Sequence, residues 1–177
     1  IMGLESVRSS IPLKCRDAYK KAVELSLKKD ESQVQEFIEG FRDEFWKMPI
    51  EDIAFPRGVN NIEKWQDHAG MPKKSTPIHV RASIVFNRFL SDFNMTEIEP
   101  IRSGDKIKYI YLKDENPLKS HVTGFPSYVP DELLGQIRDF VDYELQFEKT
   151  FLTPIGNFLH VIGWSPEFEI TLLNITE

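Results

Sequence analysis

Cysteine is nearly absent from this chain: Cys15 stands alone among 177 residues, which excludes an internal disulfide and any cysteine-rich zinc site. Long hydrophobic runs are absent too. No apolar stretch approaches the roughly 18–20 residues that a membrane helix needs, and no signal-peptide pattern opens the sequence, so no membrane partner is expected. The four histidines, at 68, 79, 121 and 160, are scattered, without HExxH or a Cys/His spacing that would build a metal site. Nothing matches a phosphate-binding P-loop, a GxGxxG fingerprint or the GxSxG of serine hydrolases. The acid pairs Asp114-Glu115 and Asp131-Glu132 fall in a turn and at a helix start, where carboxylates solvate loops and complement helix dipoles. Asp67 and His68 are neighbours in sequence, which does not make a shared site. Cys15 lies in a helical pattern without a histidine partner and reads as a small core residue. No catalytic constellation, internal repeat or low-complexity tract is found.

What is present supports one folded domain: 41% hydrophobic residues, 28% charged residues and 13 phenylalanines are enough for a core. The net charge of −6 is unevenly spread. Residues 1–29 carry +4, 30–56 carry −6, 57–88 carry +4 and 89–177 carry −8. Fields are screened over about 10 Å at 0.1 M salt, so local charge decides what binds where. Two basic stretches on an acidic chain suit convergence on one polyanion. The competing reading is that these Lys and Arg residues only decorate solvated helix faces.

The opening Ile1-Met2-Gly3-Leu4, with no Met at position 1, reads as a piece of a longer chain, and residues 1–7 suit a strand. Ala18, Ala22 and Leu25, with Leu13 and Val23 nearby, predict a helix over 13–29. Val34, Phe37, Ile38, Phe41 and Phe45 form one apolar stripe of a second helix, with Ser32 and Gln35 as its capping box and Pro49 as its stop. Its outer face, with Glu36, Glu39, Asp43 and Glu44, should repel a phosphate backbone and face away from one. Residues 50–55 suit a short strand and Pro56-Arg57-Gly58 a turn. From 58 to 76 the pattern dissolves into a long loop, of the kind that is usually functional or disordered. Thr76 then caps a helix starting at Pro77, with Ile78, Ala82, Val85, Phe89 and Phe93 as its buried stripe. Residues 104–112 alternate as a half-exposed strand, and 121–125 pair with it after an Asn116-Pro117 turn. A helix over 131–151 should bury Leu134, Ile137, Val141 and Leu145, and Pro154 should divide it from a short helix ending at Ile162. Residues 168–177 read as a loosely attached tail.

The residues left for recognition cluster in sequence. Trp65 beside Lys64 joins a flat apolar surface to a cation, Lys73 and Lys74 follow, and His79 and Arg81 lie near the positive end of the next helix. Such a set suits phosphates together with sugar or base surfaces. Arg8, Ser9 and Ser10 open the first basic stretch as a donor cluster.

Several stretches carry a resemblance as well: Met2-Gly3-Leu4-Glu5 with Arg8-Ser9-Ser10 and Pro12, then Gly58-Val59-Asn60-Asn61-Ile62-Glu63-Lys64-Trp65, then Pro77-Ile78-His79-Val80-Arg81. Gly104-Asp105-Lys106 and Phe147-Glu148-Lys149-Thr150-Phe151-Leu152-Thr153-Pro154 complete an ordered set that runs nearly end to end. In these the chain resembles the C-terminal part of the family B DNA polymerases of T-even-type bacteriophages. The resemblance implies an α+β, mostly helical fold: the end of the palm over 1–12, a thumb over 13–165 with a small antiparallel sheet, and a tail over 166–177. It implies a grip on primer–template duplex DNA through Arg8, Ser9, Ser10, Asn60, Asn61, Lys64, Trp65, Lys73, Lys74, His79 and Arg81. The family often has tyrosine where this chain has Trp65, so a phenolic hydrogen bond is not implied there. The palm and exonuclease parts of the same polymerase are the implied protein partners. The family's catalytic aspartates, and the Mg²⁺ they hold, lie upstream, so this chain alone is expected to be inactive. In the tail, Leu172, Leu173 and Ile175 match a peptide that docks on the sliding clamp, without the aromatics usual there. The implied location is the cytoplasm of an infected bacterium. The reading from another class is an acidic helical protein–protein adaptor that binds no nucleic acid.

Overall fold

In a computed structural model, which describes residues 8–168, the fold divides into a helical layer and a sheet layer. The helical layer begins with α1, Leu13–Ser26, and α2, Glu31–Phe45. The stripe predicted for α2 is the buried one: Val34, Ile38, Phe41 and Phe45 are shut from solvent, and Phe37 is half-buried. α1 lies against it through Cys15, Ala18, Tyr19 and Ala22. The capping box of α2 sits two residues earlier than Ser32 and Gln35 predict. Gln33 N–H donates to Asp30 Oδ1 at 3.0 Å, and Asp30 N–H donates to Gln33 Oε1 at 3.4 Å. Gln35 is turned inward instead, donating from Nε2 to the carbonyls of Ser165 and Glu167, both at 3.0 Å.

Residues 50–55 are not a strand. Ile50–Ile53 forms a single helical turn, α3, because Ile50 and Ile53 at i and i+3 bury together while Glu51 and Asp52 favour the positive helix start. The strand comes next, as β1, Phe55–Gly58, followed by a 3₁₀ turn at Ile62–Trp65. Helix α4, Ile78–Asp92, then crosses to β2, Lys106–Tyr111, which pairs with β3, Val122–Pro126. The three strands are antiparallel in the order β1-β2-β3, with Phe55 opposite Tyr109 and Tyr109 opposite Gly124. The rings of Phe55 and Tyr109 stack 5.0 Å apart. α4 lies on β2 and β3, and Gly124 permits the approach: a Cβ there would sit 3.2 Å from the Ala82 carbonyl carbon. Thr76 does not cap α4. Its hydroxyl donates to Lys73 O at 2.8 Å, while Pro77 occupies the cap position. Of the predicted stripe, Ala82, Val85 and Phe89 are buried and Ile78 half-buried, but Phe93 is 55% exposed beyond the end of the sheet contact.

The helix predicted over 131–151 is interrupted. α5 is Asp131–Arg138 and α6 is Tyr143–Phe147. Between them Val141 bridges Leu112, and Asp142 N–H donates to Tyr111 O at 3.1 Å, so hydrogen bonding to the sheet displaces helical bonding. α5 buries Leu133 and Ile137, with Leu134 and Leu145 only half-buried. Pro154 divides nothing. A π turn, Glu148–Leu152, runs straight into α7, Thr153–Val161, and Thr153 N–H reaches Glu148 O five residues back. Proline has no N–H to place, and it is accepted in the first turn of α7. Phe147 and Phe151 meet α2 here. Phe41 and Phe151 centroids are 4.7 Å apart and Phe45 and Phe147 5.2 Å, geometries worth about 0.5–1.5 kcal/mol each beyond their buried area.

Residues 164–168 return across α2, held by Gln35, by Glu31 accepting from Ser165 N–H at 2.7 Å, and by Arg42 2.6 Å from Glu167. The predicted strand at 1–7 and the tail residues 169–177, with Leu172, Leu173 and Ile175, lie outside the described residues. Among the described residues no helix is long and apolar enough to cross a membrane.

The two layers are joined by Gln146. Its fully buried side chain donates to Ile53 O at 2.6 Å and accepts from Tyr111 N–H at 3.1 Å. Gln146→Leu leaves both backbone groups unpaired and should lower unfolding free energy by about 2–4 kcal/mol in urea titrations. Cys15 is 1% exposed, and burial pushes its thiol up to about 12 against the smaller pull of a hydrogen bond with Thr150. It should stay unmodified by a thiol reagent at pH 8 in the native chain and react fully once urea unfolds it.

Candidate nucleic-acid interface

The loop after β1 is a folded lobe whose backbone is fixed at both ends. Val59 N–H donates to Asp105 O at 2.9 Å and Gly104 N–H to Val59 O at 2.7 Å, extending the β1 edge. Asn61 then takes a left-handed conformation, φ 56°, which asparagine tolerates better than most residues. That bend drops Ile62 into the core while Asn60, Asn61 and Lys64 remain exposed. Trp65 is half-buried and packs against the core, with Lys64 Nζ 5.5 Å from its ring centroid. The indole therefore braces the lobe and keeps one face near a cation.

Asp67 closes the tip. Its carboxylate accepts the N–H groups of Ala69 and Met71 at 2.9 and 2.8 Å, and Gly70 supplies φ 72°. The chain then returns beside itself, with Gln66 bridging Pro72 and Lys73 N–H donating to Trp65 O at 2.9 Å. Lys73 Nζ reaches Lys64 O at 2.7 Å, and Arg81 Nη2 donates to the carbonyls of Lys73 and Lys74 at 2.9 and 3.3 Å. Lys64, Lys73, Lys74 and Arg81, spread over 18 positions of sequence, thus share one lobe docked on the start of α4. Among the described residues none of the four forms an ion pair with a carboxylate. Lys64, Lys73 and Lys74 are exposed.

A second group gathers around Arg57. Arg8 and Ser9 are exposed, and Ser10 O accepts from Arg57 Nη1 at 2.9 Å. Arg57 was absent from the residues chosen on the sequence. It lies on β1 opposite Ile107, and only the approach of residue 10 and of α4 gives it a place near the site. His79 is pushed below its usual value, first by burial and then by the charge of Arg57. It is therefore neutral at pH 7 and contributes a polar imidazole rather than a cation. The two groups meet at the first turn of α4, where Arg81 serves the lobe and His79 feels Arg57.

The acidic face of α2 stands apart from this unit. α2 neighbours α1, α6 and the π turn, and its Arg42 gathers Glu39, Glu144 and Glu167 at 3.5, 2.6 and 2.6 Å. Among the described residues no cluster of three or more His, Cys, Asp or Glu side chains is arranged to hold a metal ion.

Comparison with known proteins agrees with the resemblance read from the sequence. The chain is 27% identical over 174 residues to the DNA-directed DNA polymerase of Enterobacteria phage T4, covering 97% of this chain and 19% of that protein. It is 29% identical over 160 residues to the DNA-directed DNA polymerase of Escherichia phage RB69, covering 89% of this chain and 17% of that protein. This chain is homologous to part of these phage polymerases. It spans about a fifth of the length of the relatives it matches. The fold is shared with the family B DNA polymerase of the archaeon Pyrobaculum calidifontis, at TM-score 0.55 and 14% identity, over 87% of this chain and 18% of that one. No family model matches the chain. Homology to polymerases does not favour the adaptor reading.

The electrostatics of the α4 start can be checked directly. His79 should titrate below the free-imidazole value of about 6.5 in NMR spectra. Arg57→Gln should raise it only in part, since burial is the larger cause. The unfolded chain binds this proton more readily, so His79 adds stability above the unfolded value and loses it as pH falls towards the lower folded one.

Proposed function

We propose that this chain is the thumb of a bacteriophage replicative DNA polymerase of family B, gripping primer–template duplex behind the active site. In this reading residues 1–12 end the palm, 13–165 are the thumb, and 166–177 form a tail that meets a sliding clamp through Leu172, Leu173 and Ile175. The observation that carries it is the lobe on α4, which gathers Lys64, Lys73, Lys74 and Arg81 without carboxylate partners among the described residues. Lysine and arginine neutralise phosphates, and backbone and hydroxyl donors such as Ser9 and Ser10 set register without reading sequence. That chemistry suits a part that must hold any duplex equally well. The separation of acidic α2 from the lobe supports the same reading, since Glu36, Asp43 and Glu44 would repel a phosphate backbone.

Chemistry belongs to the remainder of the polymerase, whose aspartates would hold Mg²⁺. The chain by itself positions the primer end and supports processivity, in the cytoplasm of the infected host. Its protein partners are then the palm and exonuclease parts.

Fluorescence anisotropy of a primer–template duplex tests this. The expected result is binding that weakens with salt, at a log–log slope of about −0.9 per phosphate neutralised. Lys73→Ala/Lys74→Ala should flatten that slope by about 1.8 and weaken binding. Absence of duplex binding at low salt, both alone and with the rest of the polymerase added, would overturn the proposal.

A further inference from the structure

The exposed ring of Phe93 marks a second surface, which adjoins the lobe at Met71 and Pro72. Phe93 pairs with Phe89 at 4.8 Å and lines a groove of about 400 Å³ along the outer side of α4. Pro117 and Leu118 form its far wall. The same four residues also line a notch of about 120 Å³ that runs on between α4 and α5, floored by Met95, Leu133, Ile137 and Phe140. Groove and notch are therefore continuous, apolar at depth and open at the surface.

The rim is cationic. Arg81, Arg88 and Lys119 line the groove against one carboxylate, Asp92, which lies 3.8 Å from Arg88 Nη2. Arg88 also contacts Met71, which ties this rim to the tip of the lobe. Lys119 forms no ion pair among the described residues.

We infer that this groove docks a short acidic segment of a partner protein, one aliphatic or aromatic side chain filling the notch while neighbouring carboxylates meet Arg88 and Lys119. Charge complementarity selects an acidic occupant. The size of the notch selects a single side chain, so a segment rather than a broad domain face is seated. The lining decides against a nucleobase: Gln136 is the one polar side chain in the notch, and the hydrogen-bonding edges of a base would be left unpaired. The surface is separate from the duplex grip in Lys64, Lys73 and Lys74, and shares only Arg81 with it.

The test is selection of binders from a random 12-residue peptide display library on the whole chain. Peptides that combine acids with an apolar anchor should be enriched. Their affinity should fall about ten-fold with Phe93→Ser and by a similar factor with Arg88→Gln/Lys119→Gln. Phe93, Arg88 and Lys119 are exposed or half-buried, so circular dichroism should show these variants folded. Enrichment of non-acidic peptides, binders indifferent to both variants, no binders at all, or a (dT)₁₂ oligonucleotide that is lost with Phe93→Ser would each overturn the inference. None of these results depends on whether the chain binds duplex DNA.

Discussion

The whole arrangement hangs on one buried amide. Gln146, without solvent contact, donates to the carbonyl that ends α3 and accepts from the N–H of Tyr111, the last residue of β2. Removing a polar group from water costs free energy unless it is paired, and here one side chain pairs both its own ends and two backbone groups. It thereby fixes the helical layer, built on the phenylalanines of α2, α6 and the π turn, against the sheet that carries α4. Among the described residues, every candidate DNA-contacting residue belongs to the sheet layer or to segments tied to it. The position of the lobe relative to the rest of the chain is a consequence of that junction.

Within the sheet layer, cationic side chains act on carbonyls before they act on anything else. Arg81 holds the carbonyls of Lys73 and Lys74, Lys73 holds that of Lys64, and Arg57 holds that of Ser10. Each bond uses part of a multi-donor head and leaves the charge in place. The lobe is thus ordered by the same groups that carry its positive charge. On the acidic side the logic is reversed: Arg42 is enclosed by Glu39, Glu144 and Glu167 and spends its charge on holding the returning segment to α2.

The periodic elements were legible in sequence because their burial is one-sided. The α2 stripe repeats at a spacing that few other conformations satisfy, whereas the alternation of β2 holds through Tyr109 and breaks at Ile110, which is buried on the opposite face. The errors arose where local pattern was ambiguous. Ile50 and Ile53 fit a strand or a helical turn equally well, and only shared burial decides for the turn. The 131–151 pattern stays helical in spacing across residues 139–142, yet the strand edge offered by Leu112 captures Val141. Phe93 keeps the period of its helix but overhangs the sheet that covers its neighbours. Site residues followed the same division. Lys64, Trp65, Lys73, Lys74 and Arg81 were chosen from charge and loop composition and share one lobe, whereas Arg57 carried no local sign that it would lie near Ser10 and His79.

By itself the sequence determined an α+β, mostly helical chain without a known catalytic or metal motif or an apolar run long enough for a membrane helix, with two net-basic stretches and an ordered likeness to phage polymerases. Those properties follow from residue type and short-range spacing, which survive without knowledge of what packs on what. The tertiary structure decided which cations share a lobe, that burial and then Arg57 lower the pKa of His79, and that α2 packs on α1, α6 and the π turn. Those depend on contacts made when the chain folds back, between residues such as Arg81 and Lys74, 7 positions apart, and Arg42 and Glu144, 102 positions apart. Local pattern cannot encode them, because burial and hydrogen bonding across the core set them.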